Sequence, residues 1–156
     1  MSVILVNMWM EERKLSTCTF FGHRDCPEWV RPKLRETITE LILQKGADVF
    51  YVGNQGAFDR MVRGVLRELT KTFPHIRYAV VLAYMPNENG KEDYADTILP
   101  EGIETIHRRY AISHRNRWLV QNCDIVICYV TRSFGGAAQF VELSRRQYKT
   151  IINLAE

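Results

Sequence analysis

The chain lacks most of the short signatures that declare a chemistry on sight. It contains no H-E-x-x-H or H-x-x-E-H, no G-x-S-x-G, no G-x-G-x-x-G, and no phosphate loop ending in glycine, lysine and serine or threonine. Zincin, α/β-hydrolase, dinucleotide-fingerprint and P-loop readings therefore have no motif behind them. Cysteine is scarce: Cys18, Cys26, Cys123 and Cys128, with no C-x-x-C spacing. That argues against a zinc site and against a disulfide framework, and for reduced thiols in a cytoplasmic protein. Cys26, in the first glycine turn, is the one thiol with the setting for a reactive role. No metal and no cofactor are expected.

Long apolar runs are also missing. The segment Val3–Met10 is apolar, but it is far shorter than the ~20 residues of a membrane span. It has neither a basic leader nor a small-residue cleavage site. Residues 1–15 are expected to add an edge strand or an oligomer contact, so a homo-oligomer is anticipated and a membrane partner is not. The net charge is only +3, which suits an anionic ligand but sets nucleic acid aside as an unlikely partner. Linkers, repeats and low-complexity stretches are absent, and 156 residues suffice for one domain with its own core.

What is present is an alternation of apolar runs and amphipathic stretches. Ser16–Phe21 reads as a strand. Pro27–Gln44 reads as a helix with its buried stripe at Val30, Leu34, Ile38, Leu41 and Ile42, closed by Gly46. Asp48–Val52 is a second strand. The helix after Gly56 carries Phe58, Met61, Val62, Val65, Leu66 and Leu69 on one face and stops before Pro74. Arg77–Met85 reads as a strand covered on both faces. A polar stretch over 86–109 suggests a lid, with short strands at Thr97–Leu99 and Ile103–Ile106. Helix Ile112–Asn122, strand Ile125–Val130, helix Ala137–Tyr148 and strand Thr150–Leu154 complete the chain. The pattern predicts one α/β domain, a Rossmann-like three-layer sandwich whose mainly parallel sheet is flanked by helices.

Three strand-to-helix turns are marked by glycine: Gly22-His23-Arg24-Asp25, Gly53-Asn54-Gln55-Gly56 and Phe134-Gly135-Gly136-Ala137. In an open α/β sheet such turns gather at the carboxyl edge, where ligands bind and helix N-termini favour phosphate. Arg24 either forks onto phosphate or pairs with Asp25. His23 either contacts the ligand or caps a helix. Asp59 either accepts from a ribose hydroxyl or stabilises its helix N-terminus, the latter preferred. His114-Arg115-Asn116-Arg117 either clamps an anion or is a solvated first turn. Phe134 either stacks on a base or covers its loop.

These residues resemble the SLOG superfamily. Thr17–Arg24, Tyr51–Asp59, Arg115–Trp118 and Gly135–Ala138 stand in its order over about Ser16–Asn153. Relatives include small bacterial and phage proteins, YpsA-like proteins, LOG-type cytokinin-activating hydrolases and the DNA-processing DprA proteins. The resemblance implies a nucleotide-like small-molecule ligand, held by Gly22, His23, Arg24, Gly53, Asn54, Gln55, Gly56, Asp59, Arg115, Asn116, Phe134, Gly135, Gly136 and Ala137. It implies a sensing or sequestering protein, as in bacterial or phage immune signalling. The first alternative is LOG-like hydrolysis or transfer at an N-glycosidic bond, with Arg115 and Glu142 catalytic. The second is DprA-like single-strand binding, which would show a basic strip. LOG enzymes carry Pro-Gly-Gly-x-Gly-Thr-x-x-Glu; here Phe134 replaces the proline and Gln139 the threonine. The glutamate position falls on Val141, so Glu142 is displaced by one residue, ~100° around a helix.

Overall fold

The computed structural model describes residues 17–86 and 96–156. The expected N-terminal edge strand at 1–15, and most of the first half of the expected lid, lie outside the described residues.

Among the described residues, six strands form one sheet: β1 (Thr17–Gly22), β2 (Val49–Val52), β3 (Arg77–Val81), β4 (Thr97–Ile98), β5 (Ile125–Tyr129) and β6 (Thr150–Asn153). Their order is β4-β3-β2-β1-β5-β6, and every pairing is parallel. The chain moves outward from β1 to β4, then returns to place β5 against the other side of β1. The order therefore reverses between β1 and β5, and the crevice at their carboxyl ends is where such sheets hold ligands.

Among the described residues, four α-helices cover the sheet: α1 (Val30–Lys45), α2 (Gly56–Thr72), α3 (Ala111–Gln121) and α4 (Gly136–Arg146). Side chains alternate along each strand, so β1 sends Cys18 and Phe20 to one face and Phe21 to the other. The first face packs against Leu34 and Ile38 of α1 and Phe58, Val62 and Leu66 of α2. The second packs against Leu119 and Val120 of α3 and Phe140 and Val141 of α4. All five β5 residues are buried, as a strand covered on both faces requires. Gly46 closes α1 at φ 69°, its N–H donating to the Leu41 carbonyl.

Two expectations change in the connection after β3. Thr97–Ile98 does pair in parallel with β3. Ile103–Thr105, however, is a single 3₁₀ turn rather than a strand. Ile103 and Ile106 lie three residues apart, which puts them on one side of a 3₁₀ turn and on opposite faces of a strand. Burial of Ile103 against Ala83 and Ala111 selects the turn, and the Thr105 hydroxyl donates to the Gly102 carbonyl at 2.7 Å. A second 3₁₀ turn, Arg108–Tyr110, leads directly into α3. The described part of the expected lid is thus ordered against the sheet.

At the end of β1, a Cβ on Gly22 would overlap the Phe58 ring of α2. Gly22→Ala is expected to cost ~1–3 kcal/mol through overpacking, and Phe58→Ala ~3–5 kcal/mol through the void it leaves. The double variant should cost less than the sum, read from urea unfolding as a double-mutant cycle.

Candidate functional site

A cleft of ≈ 330 Å³ opens at the β1/β5 crevice. Gly22, His23 and Arg24 enter it from the end of β1, and Gly53, Gln55 and Asp59 from the β2–α2 junction. Arg115 and Asn116 come from α3, and Gly135, Gly136 and Ala137 from the start of α4. Segments distant in sequence therefore converge on one cavity. Asn54, Gly56, Phe134 and Glu142 do not line it. Asn54 accepts a hydrogen bond from the Gln55 side chain, and Phe134 and Glu142 border a neighbouring groove that shares Gly135 and Gly136 with the cleft.

The centre of the wall is Arg115, only 2% exposed. Its Nη1 donates to the Val81 carbonyl at 2.9 Å and its Nε to Asn116 Oδ1 at 2.8 Å. Asp59, also buried, faces it across Gly53: a Cβ on Gly53 would lie 2.6 Å from Arg115 Nη1 and 2.7 Å from Asp59 Oδ2. Burial pushes the Asp59 carboxyl above its ordinary range, while the Arg115 charge and the Gln55 N–H draw it back down. That N–H donates to Asp59 Oδ2 at 2.9 Å, so Asp59 stabilises its helix N-terminus.

The glycines of the second turn admit protein atoms. Gly53 makes room for the Arg115–Asp59 pair. Gly56, at φ 87°, leaves its missing Cβ's place to Arg24, whose Cα would lie 2.8 Å away. The Arg24 carbonyl accepts the Ala57 N–H at 2.8 Å. The start of α2 is thus capped by its own chain and is not the phosphate cradle the sequence suggested. At α4 the situation is reversed. No side chain caps its N-terminus, and the space around Gly135 (φ 98°) and Gly136 is open within 4 Å.

His23 is buried, and its Nε2 accepts the Thr131 N–H at 3.0 Å. Its ring meets Tyr129 edge-on at 6.1 Å. Burial, then the positive charge of Arg132, lowers its pKa, so the neutral ring ties β1 to the β5–α4 loop. Arg132, which sequence reasoning passed over, lines the cleft beside Gly135. Its guanidinium stacks 5.3 Å from the Phe134 ring centroid and stands 4.0 Å from Asp25. The readable signal was an arginine three residues after β5, just before the glycine pair; attention to glycine hid it.

Two expected reactive groups are displaced. Glu142 is on the outer face of α4, paired with Arg145 at 2.6 Å and Arg146 at 3.8 Å, because Val141 occupies the inward position. It does not reach the cleft, and its catalytic assignment fails. The Cys26 thiol is pushed up to about 11 by burial and by Glu28 and Asp25, so it is not the reactive thiolate expected. Among the described residues, no group of three or more His, Cys, Asp or Glu could hold a metal, and no helix is long and apolar enough to cross a membrane.

No family model and no curated protein matches the chain. Among solved structures it is similar to DNA processing protein A (DprA) from Streptococcus pneumoniae, with a TM-score of 0.67 at 15% identity. The match covers 92% of this chain and 52% of that one, so this chain spans about half the length of the protein it matches. The fold is shared: an all-parallel Rossmann-like sheet between helices. The expectation that nucleic acid is an unlikely partner is overturned by this likeness to a DNA-processing protein. A mild net charge averages over the whole surface and does not exclude a local basic face.

Because the folded state holds His23 neutral, its unfolded state binds the proton more readily. Stability is full above ~pH 6.5 and declines as the pH falls below it. His23→Gln, which keeps an acceptor that does not titrate, should flatten that decline in thermal melts recorded across the acid range. Arg115→Met is expected to cost ~1–3 kcal/mol by leaving the buried Val81 carbonyl without its donor and by weakening the positive field at the buried Asp59 carboxyl. Adding Asp59→Asn should recover part of that loss in chemical denaturation.

Proposed function

We propose that the protein binds a phosphorylated, nucleotide-derived small molecule in this cleft, as a cytoplasmic sensor or sequestering protein of the SLOG type. The phosphate sits on the open N-terminus of α4, where backbone N–H groups and the helix dipole favour an anion. Arg132 and Arg24 flank it and supply fork-shaped donors. Buried Arg115 and Asp59, facing each other across Gly53, form the wall, and Asn116 and Gln55 orient the sugar or base. The observation that carries this reading is the convergence of three guanidiniums on a cleft that contains an uncapped helix start.

Binding is favoured over N-glycosidic cleavage by the carboxylates. Oxocarbenium-like charge needs an acid aimed at the reacting carbon. Glu142 points elsewhere, and Asp59, the acid lining the cleft, is engaged by the Gln55 N–H and faces Arg115.

Gly136→Asp provides a discriminating test. The position is open, and a carboxylate in the first helical turn stabilises a helix while repelling an anionic ligand. Nucleoside monophosphates and NAD-like compounds are screened by thermal shift and calorimetry, with products checked by chromatography. A fitting ligand at 100 times its Kd should stabilise the protein by ~2.7 kcal/mol. Gly136→Asp and Arg132→Ala should abolish or weaken that shift without lowering the unliganded melting point. Failure of every compound to bind, or unchanged binding by Gly136→Asp, overturns the reading; release of free base, lost in Arg115→Ala, replaces it with the enzymatic one.

A further inference from the structure

The loop that carries Arg132 to the cleft leaves the sheet beyond the ends of both neighbouring strands. β5 pairs with β1 as far as Gly22↔Tyr129 and with β6 as far as Asn153↔Cys128. The backbone of Val130 and Thr131 therefore lies outside either ladder. Thr131 to Gly136 are all exposed, so burial does little to fix them. In a parallel sheet, successive residues of an inner strand turn their N–H and C=O to one neighbour and then to the other. Val130 turns to the β6 side and Thr131 to the β1 side.

Side chains take the place of the missing rungs. From the end of β6, Asn153 Oδ1 accepts the Val130 N–H at 3.2 Å, and its Nδ2 donates to the Val130 carbonyl at 3.0 Å. One amide thus copies the acceptor and donor that a further strand residue would offer. The same Oδ1 accepts the Ala155 N–H at 3.1 Å, which orients the amide. From the end of β1, His23 Nε2 accepts the Thr131 N–H at 3.0 Å. Arg132 follows at once, and Gly136 opens α4 four residues later. The direction in which the chain leaves Thr131 decides where both of them stand.

The two anchors differ in chemistry. An amide keeps its donor and acceptor at every pH, but a ring nitrogen that accepts a hydrogen bond must be unprotonated. Arg132 of the loop and Asp25 of the β1 turn act on the ring with opposite sign, and Tyr129 of β5 meets it edge-on. Across the cleft stand Asp59 of α2 and Arg115 of α3. A proton on Nε2 sets N–H against N–H and breaks the β1 anchor.

We propose that His23 and Asn153 are positioning residues that clamp the β5–α4 loop in its anion-binding geometry, and that protonation of His23 opens the clamp and weakens anion binding in the cleft. This rests on the cleft reading above and adds regulation by pH to it. A loop ordered in advance loses less freedom when the ligand arrives. The anion and the proton favour opposite states, so each weakens the other's binding by the same factor. With one proton displaced, the limit is tenfold in affinity per pH unit. Burial and Arg132 put the change on the acid side of the ordinary histidine range.

The test has one arm without ligand and one with inorganic sulfate, over pH 5.5–8 at fixed ionic strength. Sulfate keeps its charge over this range, whereas phosphate gains a proton near ~pH 6. In amide exchange read by NMR, Thr131 should be protected at neutral pH and lose protection in acid, while Val130 keeps its own. Sulfate affinity, read at the Gly136 amide, should fall on acidification by up to tenfold per pH unit. His23→Gln, which keeps an acceptor, should remove both pH dependences. Asn153→Asp keeps the acceptor but loses the donor; it should bind sulfate more weakly at every pH with the slope retained. A pH-independent affinity, tighter binding in acid, a slope that survives His23→Gln, or unchanged affinity in Asn153→Asp overturns the proposal. Absence of sulfate binding at every pH overturns the anion site and the gate together, whereas sulfate bound equally at every pH overturns the gate and leaves the anion site standing.

Discussion

The site depends on one buried guanidinium. Arg115 reaches from α3 to the last carbonyl of β3 and faces a buried carboxylate on α2. Three elements that the chain visits far apart are tied at the floor of the crevice by one side chain. Removing two charges from water is expensive, and hydrogen bonds together with a facing opposite charge offset part of that cost. The rest of the local structure reads as the set of conditions for holding the two groups on either side of Gly53. Gly53 must lack a Cβ, Gln55 must turn its N–H to Asp59, and Asn116 must accept from Arg115 Nε. Such a wall is already in place before any ligand arrives, so binding need not pay for ordering it.

The same constraint separates two helix starts that look alike on paper. Both α2 and α4 follow a strand through a glycine turn at the carboxyl edge. The first gives its Gln55 N–H to Asp59 and its Ala57 N–H to the Arg24 carbonyl. The second, reached through Gly135 and Gly136, has open space in front of it. A dipole end is an anion site only where nothing in the chain already answers it. The two turns are therefore complementary: one builds the wall, and the other leaves a place for charge.

Much of this was legible in the residues. The apolar stripes of α1 and α2, the unbroken run of β5 and the stops at Gly46 and Pro74 each carry their own periodicity or backbone signal, and the elements lie within a few residues of where those signals place them. The convergence of Gly22, Arg24, Arg115 and Gly136 followed from parallel topology. What sequence could not supply was the contact partner of each glycine. A glycine that admits a ligand and one that admits Phe58 or Arg115 are identical letters, and only packing tells them apart. Glu142 failed for a related reason: a one-residue offset along a helix decides which side of it a carboxylate occupies, and Val141 had the stronger claim to the core. Ile103–Ile106 failed because two apolar residues three apart satisfy a 3₁₀ turn better than a strand.

Net charge misled most, because it is a sum and recognition is local. A surplus of +3 over 156 residues is compatible with an even mixture and equally with one saturated face. Arg60, Arg63, Arg67 and Lys71 follow the same helical period as the apolar stripe of α2. The buried face of α2 fixed Phe58, Val62 and Leu66 against the sheet, and in doing so it fixed where the cations must point. Once the apolar stripe of a helix is assigned, its polar stripe is assigned too, and its sign pattern can be read as directly as its hydrophobicity. On α1 both signs are present, at Lys33, Arg35, Glu36 and Glu40; on α2 positions 60, 63, 67 and 71 are all cationic.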